Sequence, residues 1–557
     1  MLLILGLDGA TLDLVEPWVA DGTMPHLGRL MHQGAWGRLA STVPAATFPG
    51  WTTFMTGVNP GRHGIFDFTR RDPGTYRVRF INASYRKAPS IWRLLSQAGR
   101  RVAVLGLPGT YPPETVNGCM VSGFDTPVTT RADRSFVYPP ELAAGIERSG
   151  GFPFADFQEF DIGPGWHAKA LQSLLSGIEK KTRLSEQLLS RAGWDCFMLL
   201  MGESDTVAHH FWGFHDPRSP RHDAREAATL GSAIRKVYRA LDTVLGRLLA
   251  CQPGARVLVV SDHGFGGAGD TVIYLNRWLA EQGFLAWQQH RVSAALAGGL
   301  RRAAVRMIPE RWQARCFRIA NGRVANTIET RVRFGGIDWH ATRAFAEELN
   351  YFPAIWLNVR GRDPMGQVAP ENYAQVCQEL TDRLLQWRDP ARSTPVVRRV
   401  WRRDEVYQGP YVELAPDLIL DLETPGNYSY VCLPSYGPSG PSIERLNGAA
   451  RVSGKLRGMS GSHRPDGLVV LAGEGITPGV ISGASIADMA PTILSLCGVS
   501  VPAGWDGRPL ACTDGAPPGM VVGAGRENEI EPSDEDAYDA TEEECLRQRL
   551  ARLGYLD

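Results

Sequence analysis

The chain predicts an α/β protein with a central, mostly parallel sheet flanked by helices. Three observations lead there. Short apolar runs alternate with amphipathic helical patterns along much of its 557 residues, the rhythm of βα units. Several of those runs end in an acid, as in LLILGLD, CFMLLMGESD and RVLVVSDHG. In open α/β sheets, ligands gather at that carboxyl edge. The length exceeds one ordinary domain and falls short of four.

The elements follow in order. LLILGLD is apolar up to Asp8 and reads as a buried strand. MPHLGRLMHQGA reads as a helix stopped by glycine, and SIWRLLSQAG as a helix leading into the strand RVAVLGLP. From about 108 to 166 the sequence is rich in Pro, Gly, Phe and Asp and reads as an insertion. ALQSLLSGIEKKTRLSEQLLSRAG is a long helix feeding DCFMLLMGESD, and AREAATLGSAIRKVYRALDTVLGRLLAC reads as one helix feeding ARVLVVSDHG. These make 1–267 the first part of the core.

The rhythm then breaks. Residues 268–345 read as a helical, basic insertion or cap; Arg291 to Arg333 holds ten arginines against Glu310 and Glu329. Such a segment is either a lid or partner surface, or a solvated helical face. The second part of the core, 346–510, closes with the strand DGLVVLAG and the helix SIADMAPTILSLCG. Residues 511–557 read as a linker and a terminal helix. The linker, Cys512 to Ala540, is Gly/Pro-rich and then acidic. The helix has a capping box at Thr541 and Glu544, an apolar face of Leu546, Leu550, Leu553 and Tyr555, and Gly554 to end it. No internal repeat occurs.

Composition bounds the partners. Lys plus Arg equals Asp plus Glu, 59 against 59, so the whole chain makes no electrostatic case for nucleic acid. No apolar run reaches the ~18 residues of a membrane span. Nine scattered cysteines without a CxxC pair, and an N-terminus with no basic n-region, predict a reduced, cytoplasmic protein.

The chemistry concentrates in a few motifs. STVPAATFPGWTTFMTG, from Ser41 to Gly57, carries six hydroxyls. Asp8, Asp205 and Asp262 end predicted strands, and His263 follows Asp262 directly. Asp205 and His209, in DTVAHHFWGFHDP, stand four apart, a spacing that turns both toward one metal on a helical turn. His210 and His215 in the same stretch have aromatic neighbours that favour packing. GMSGSHRPDG sets His463 in a small-residue loop before a strand. Three carboxylates and three imidazoles suit two borderline cations, Zn²⁺ or Mn²⁺. Two such ions ~3.5–4 Å apart form a clamp for phosphoryl transfer.

These motifs, in the order Asp8, TFPGWTTFMTGVNPGRHGIFDF, DTVAH, SDHG and GSH, resemble the type I phosphodiesterase/nucleotide pyrophosphatase family of the alkaline phosphatase superfamily. The resemblance implies an alkaline-phosphatase-like core with inserted lid segments, hydrolysing a small phosphate ester. It implies Thr47 as nucleophile, forming a phosphothreonine. It implies one metal on Asp205, His209 and His463, and another on Asp8, Asp262 and His263 with Thr47. Phosphodiesterase or pyrophosphatase action is the first expectation; a phosphomonoesterase, or a binding or regulatory protein that kept the fold, are the others. Two positions depart from the family pattern. HGIFDF puts Phe68 where the family has a phosphate-holding Asn. Arg70 or Arg71 then supplies the donor, or the substrate sits differently. TFPG puts Gly50 where Asn is usual, opening room beside the nucleophile. Pro49 at the helix start directs amides near Gly50 and Trp51 toward phosphate.

Overall fold

The computed structural model describes all residues except 128–134, 155–164, 192, 289–333, 335, 349–352, 447–458, 514–537, 539–541, 544, 548 and 550–557. From the N-terminus, β1 (Leu2–Leu7) is followed by α1 (Leu12–Ala20), α2 (Pro25–Gln33), β2 (Ala35–Ala40) and α3 (Thr47–Thr56). Next come α4 (Ile91–Gln97), β3 (Val102–Leu107), β4 (Gly118–Ser122), β5 (Val137–Tyr138) and α5 (Trp166–Leu189). Then follow β6 (Cys196–Met201), α6 (Glu203–His215), α7 (Ala224–Leu230), α8 (Ala233–Cys251), β7 (Arg256–Val260) and β8 (Gly264–Ile273). After a long excursion the chain returns as β9 (Gly461–Arg464), β10 (Asp466–Ala472) and α9 (Met489–Leu496).

The main sheet runs β2-β10-β7-β1-β6-β3-β4-β5, with two short edge strands beyond β2. β7, β1, β6, β3 and β4 are mutually parallel, while β10 lies antiparallel between β7 and β2. Each face packs its own helical layer. Leu3, Leu5 and Leu7 of β1 join one cluster with residues of α5 and α8; Leu2 and Ile4 join another with Trp51 of α3, Trp92 of α4 and Ile493 of α9. A strand covered on both faces has no polar side, which is why β1 is an unbroken apolar run. A second lobe has an antiparallel sheet of Ala344–Ala346, Ala354–Leu357, Leu418–Leu422 and Val397–Arg402, with its own core around Trp278, Trp356 and Leu380.

The structure corrects three sequence expectations. The stretch at 108–166 is not wholly an insertion, because β4 and β5 within it extend the main sheet. The single helix expected over 224–251 is two, α7 and α8, interrupted at Gly231 and Ser232, where helix propensity is poor. His463 lies on strand β9 rather than in a loop. Its small neighbours answer a close approach: a Cβ on Gly461 would come within 2.3 Å of the Ala208 carbonyl oxygen. The described part of 268–345 holds the end of β8 and a short helix, Leu275–Glu281. Its arginine-rich stretch, Arg291 to Arg333, lies outside the described residues, as do Thr541, Glu544, Leu550, Leu553, Gly554 and Tyr555. Leu546 is buried at 2 % exposure. No described helix is long and apolar enough to cross a membrane.

The end of α3 carries a pH-sensitive support. His63 is fully buried; its Nδ1 accepts from the Ile65 amide at 3.2 Å, and its Nε2 lies 3.0 Å from Thr53 Oγ1. Burial, helped by Arg86, lowers its pKa from 6.5 to about 3. The neutral ring therefore stabilises the fold above pH 6.5, and that stability drains away as pH falls from 6.5 toward 3. At pH 4.5, two units below the ordinary value, the loss from this residue is on the order of 2–3 kcal/mol. Urea midpoints at pH 7.5 and 4.5 check this: His63→Gln should flatten the acid loss. An unchanged acid slope would show that His63 titrates normally.

Candidate active site

Neighbouring strands bring the acids together. β7, β1 and β6 lie side by side, so Asp262, Asp8 and the start of α6 meet at one carboxyl edge. Asp205 stands in the first turn of α6, and the helical repeat puts His209 one turn on, on the same face. β9 pairs antiparallel with β8, with His463 opposite Phe265. That register stacks the His463 ring on His263, with centroids 3.7 Å apart. Thr47 is the first residue of α3 and is fully buried.

The side chains point inward. Asp205 Oδ1 lies 3.4 Å from Nε2 of both His209 and His463, and those two nitrogens are 3.0 Å apart. His263 Nε2 lies 3.5 Å from Asp8 Oδ1, 3.4 Å from Asp262 Oδ2 and 3.3 Å from Thr47 Oγ1. Donors bound at about 2.0–2.2 Å in a tetrahedron are separated by about 3.3–3.6 Å; the distances from Asp205 Oδ1 and from His263 Nε2 fall in that range, and the 3.0 Å between His209 and His463 is a little shorter. Asp205, His263 and His463 also offer donors within 4.8 Å of one another, so the two sets are contiguous.

The opposite ring nitrogens fix the tautomers. Nδ1 of His209, His263 and His463 faces the carbonyl oxygens of Gly461, Gly264 and Ala45 at 3.1, 3.0 and 3.0 Å. A carbonyl only accepts, so each neutral ring carries its proton on Nδ1 and turns the Nε2 lone pair inward. Two lone pairs 3.0 Å apart repel unless a cation lies between them. The carboxylates make the same demand. Trp51 Nε1 donates to Asp8 Oδ2 at 3.0 Å and the Gly9 amide to Asp262 Oδ1 at 3.3 Å. Asp8 Oδ1, Asp205 Oδ1 and Asp262 Oδ2, aimed at the centre, are buried and accept no hydrogen bond among the described residues.

Electrostatics agrees. Burial, then the charge of Asp205, drives Asp8 well above the usual carboxylate range. Burial, then Asp8, does the same to Asp262. Against the upward pull of burial, His209 and His463 hold Asp205 below its ordinary value. Burial, then His463, pushes His263 well down, and burial lowers His463. Protein groups alone keep this cluster together only by protonating acids; divalent cations remove that need.

Comparison with known proteins adds the lineage. Residues 2–433 match the type I phosphodiesterase / nucleotide pyrophosphatase family. The chain belongs to that family. It is accordingly an enzyme of the phosphoric ester hydrolase class with an alkaline-phosphatase-like fold. No curated protein sequence matches the chain. Among solved structures it is similar to phosphonoacetate hydrolase from Sinorhizobium meliloti 1021 in complex with phosphonoformate, at 16% identity, over 89% of this chain and 95% of that one, with a TM-score of 0.50. It also aligns with human ectonucleotide pyrophosphatase / phosphodiesterase 5 at 14% identity, over 90% and 96% of the two chains, with a TM-score of 0.47. The family match stops at residue 433, so His463 stands on geometry and motif.

The positions that depart from the phosphodiesterase pattern have structural explanations. A Cβ on Gly50 would meet Asp262 Cβ at 3.2 Å, so the missing side chain gives room to that aspartate. Pro49 does not direct amides of Gly50 toward a ligand, because Gly50 N–H already closes the helix on Ala46 O at 2.9 Å. With proline lacking a donor, the Phe48 amide is a first-turn donor of α3 that the helix itself does not use. Phe68 packs on Phe48, with ring centroids 4.9 Å apart. Arg71 pairs with buried Asp363 and lies over Trp356, 4.4 Å from its centroid. Arg70 lies over Tyr85 and, with Asp67 and Tyr407, lines a separate cleft. His210 and His215 pack on Trp166 and Trp18.

Two supports were not visible in the sequence. Trp51, one helical turn beyond Thr47, holds Asp8. Lys181 on α5 is buried against Glu203 at 2.9 Å and shares a cleft with Asp8 and Asp205; its charge pulls Asp8 toward ionisation. A lysine in a long amphipathic helix looks like any surface lysine until the partner helix is placed.

Proposed function

We propose that this enzyme hydrolyses phosphodiesters with Thr47 as nucleophile, at a centre holding two divalent cations. The observation that carries the reading is the convergence of three unsatisfied carboxylate oxygens and three imidazole lone pairs beside a buried threonine hydroxyl. Asp205, His209 and His463 would hold one cation; Asp8, Asp262, His263 and Thr47 would hold the other. Three imidazoles favour Zn²⁺, and the carboxylates also accept Mn²⁺. Bound there, the cations would supply Lewis acidity that lowers the threonine pKa and offsets charge on the phosphoryl oxygens.

The chain's own residues then do the following. Thr47 Oγ1 gives up its proton and attacks phosphorus in line; one ester oxygen leaves and takes up a proton as the alcohol, while the other stays on phosphorus, so Thr47 carries a phosphoryl group that still bears the retained organic group. Water then displaces Thr47 from phosphorus, the threonine oxygen takes a proton back, and the phosphate monoester is released. The Phe48 amide at the start of α3 is a donor toward a phosphoryl oxygen. Trp51 and the Gly9 amide keep the carboxylates of Asp8 and Asp262 in place.

The surroundings favour a diester over a monoester. The ring next to the nucleophile, Phe48, is buried with Phe68, and the partly exposed Phe124 packed on both gives an organic group an apolar wall. Arg70 and Arg71, the arginines nearest Phe68 in sequence, lie against Tyr85 and Asp363, leaving less positive charge for a dianionic phosphoryl group. Bis(p-nitrophenyl) phosphate compared with p-nitrophenyl phosphate tests this. The diester should show the higher kcat/KM by about tenfold or more, a difference of about 1.4 kcal/mol in barrier. A preference for the monoester would reverse the assignment. No turnover of either by metal-loaded protein would leave a binding protein.

A further inference from the structure

The C-terminal segment reaches back to a cleft beside this centre. Tyr538 and Leu546 are buried in the same apolar cluster as Phe48 and Phe68. The Tyr538 ring is parallel to Tyr111, centroids 5.8 Å apart, and its hydroxyl donates to the Asp125 carbonyl at 2.8 Å. Tyr111 in turn donates to Glu542 Oε1 at 2.9 Å. Arg549, 5 % exposed, donates to the carbonyls of Phe124, at 3.1 Å, and of Thr126. Its guanidinium also lies over Phe154, 4.7 Å from the centroid.

Those contacts fall on the wall of a cleft. The cleft opens on Asp8 and Asp205 and is walled by Phe124, Phe152 and Phe154. Phe124 also meets Phe48, the residue after Thr47, at 6.2 Å between ring centroids. Arg549 thus fixes the backbone of one wall residue and covers the ring of another. Without it, the Phe124 and Thr126 carbonyls lose a charged donor, and a loop held by such bonds reorients.

We propose that Tyr538 and Arg549 are positioning residues that set the shape of this cleft, and with it the size of the organic group accepted on the phosphate ester. The proposal rests on the reading of Thr47 as the centre of an ester hydrolase. The segment acts through Phe124 and Phe154, so it governs binding of the retained organic group rather than the bond-breaking step.

Two esters with one leaving group isolate that effect in the full-length protein. Bis(p-nitrophenyl) phosphate keeps an aryl group and methyl p-nitrophenyl phosphate keeps a methyl. Arg549→Ala should raise KM for the aryl ester about fivefold or more with kcat little changed, and Tyr538→Phe about twofold, while the methyl ester stays near wild type. Amides from Gly123 to Thr126 should exchange hydrogen faster in Arg549→Ala. Calorimetric binding of the aryl ester in a Thr47→Ala background should weaken by the same factor when Arg549→Ala is added, a readout independent of turnover. Equal responses of both esters, or unchanged aryl affinity despite faster exchange, would overturn the role of the segment. A wild type that hydrolyses neither ester would instead sink the Thr47 reading, with the binding comparison still deciding the segment.

Discussion

Thr47→Ala should lower phosphodiester turnover by roughly 10³–10⁶-fold, the range seen when a nucleophile is removed from an otherwise intact site. The variant should fold, because alanine is a good helix former and the lost atoms are few. It should also keep its cations, since Asp8, Asp262 and His263 remain. Thr47→Ser should retain a measurable fraction, having lost only a methyl. The other hydroxyls of the stretch are engaged elsewhere: Thr53 with His63, and Thr56 with the Thr52 carbonyl. Their alanine variants should cost far less. A phosphopeptide trapped by acid quench and mapped by mass spectrometry decides the matter. Phosphate on another residue, or near-wild-type activity in Thr47→Ala, would make Thr47 merely the first residue of a helix.

Metal removal should be equally severe. The loaded protein should contain about two Zn²⁺ or Mn²⁺ per chain, and chelation should abolish turnover. His463→Ala should lose about one ion per chain and at least about 10²–10³ in rate. Stability should follow occupancy as well. Removing the ions leaves buried carboxylates facing one another, so the apo protein should melt lower. Each site refilled at 100 times its Kd returns about 2.7 kcal/mol. Metal analysis after supplemented purification, with thermal melts, reads both effects. A metal content near zero together with full activity would exclude the two-cation reading.

Much of the fold was legible because the central strands are buried on both faces. LLILGLD, CFMLLM and RVLVV carry no polar residue between their ends, and a parallel core strand requires that. The acids at their ends were legible for the same reason, since a carboxylate closing an apolar strand needs a partner. What remained hidden depends on contacts between distant segments. Gly461 and Ser462 looked like loop residues because small side chains have two causes, turn geometry and close packing, and the sequence does not separate them. The neighbour of Gly50 was hidden in the same way: the position of its missing Cβ faces Asp262, some two hundred residues away in sequence. Trp51 read as core and is core, yet its indole N–H also orients Asp8. The pairing of Lys181 with Glu203 could not be foreseen before α5 and α6 were set together.

The position of β10 has a consequence for biosynthesis. β7 and β2 flank it, so neither has its inner-edge partner until Asp466–Ala472 has been made. At about 5–20 residues per second, a ribosome takes on the order of 10–40 s to cover the roughly two hundred residues between Val260 and Asp466. Through that interval the nascent chain carries an open strand edge at β7, apolar from Val257 to Val260, a template for pairing with other chains. His463, three residues before Asp466, arrives at the same moment. Closure of the sheet and completion of the proposed metal centre are therefore a single late event, and a ribosome that stalls within the second lobe would leave a sticky product without its sixth metal-facing side chain.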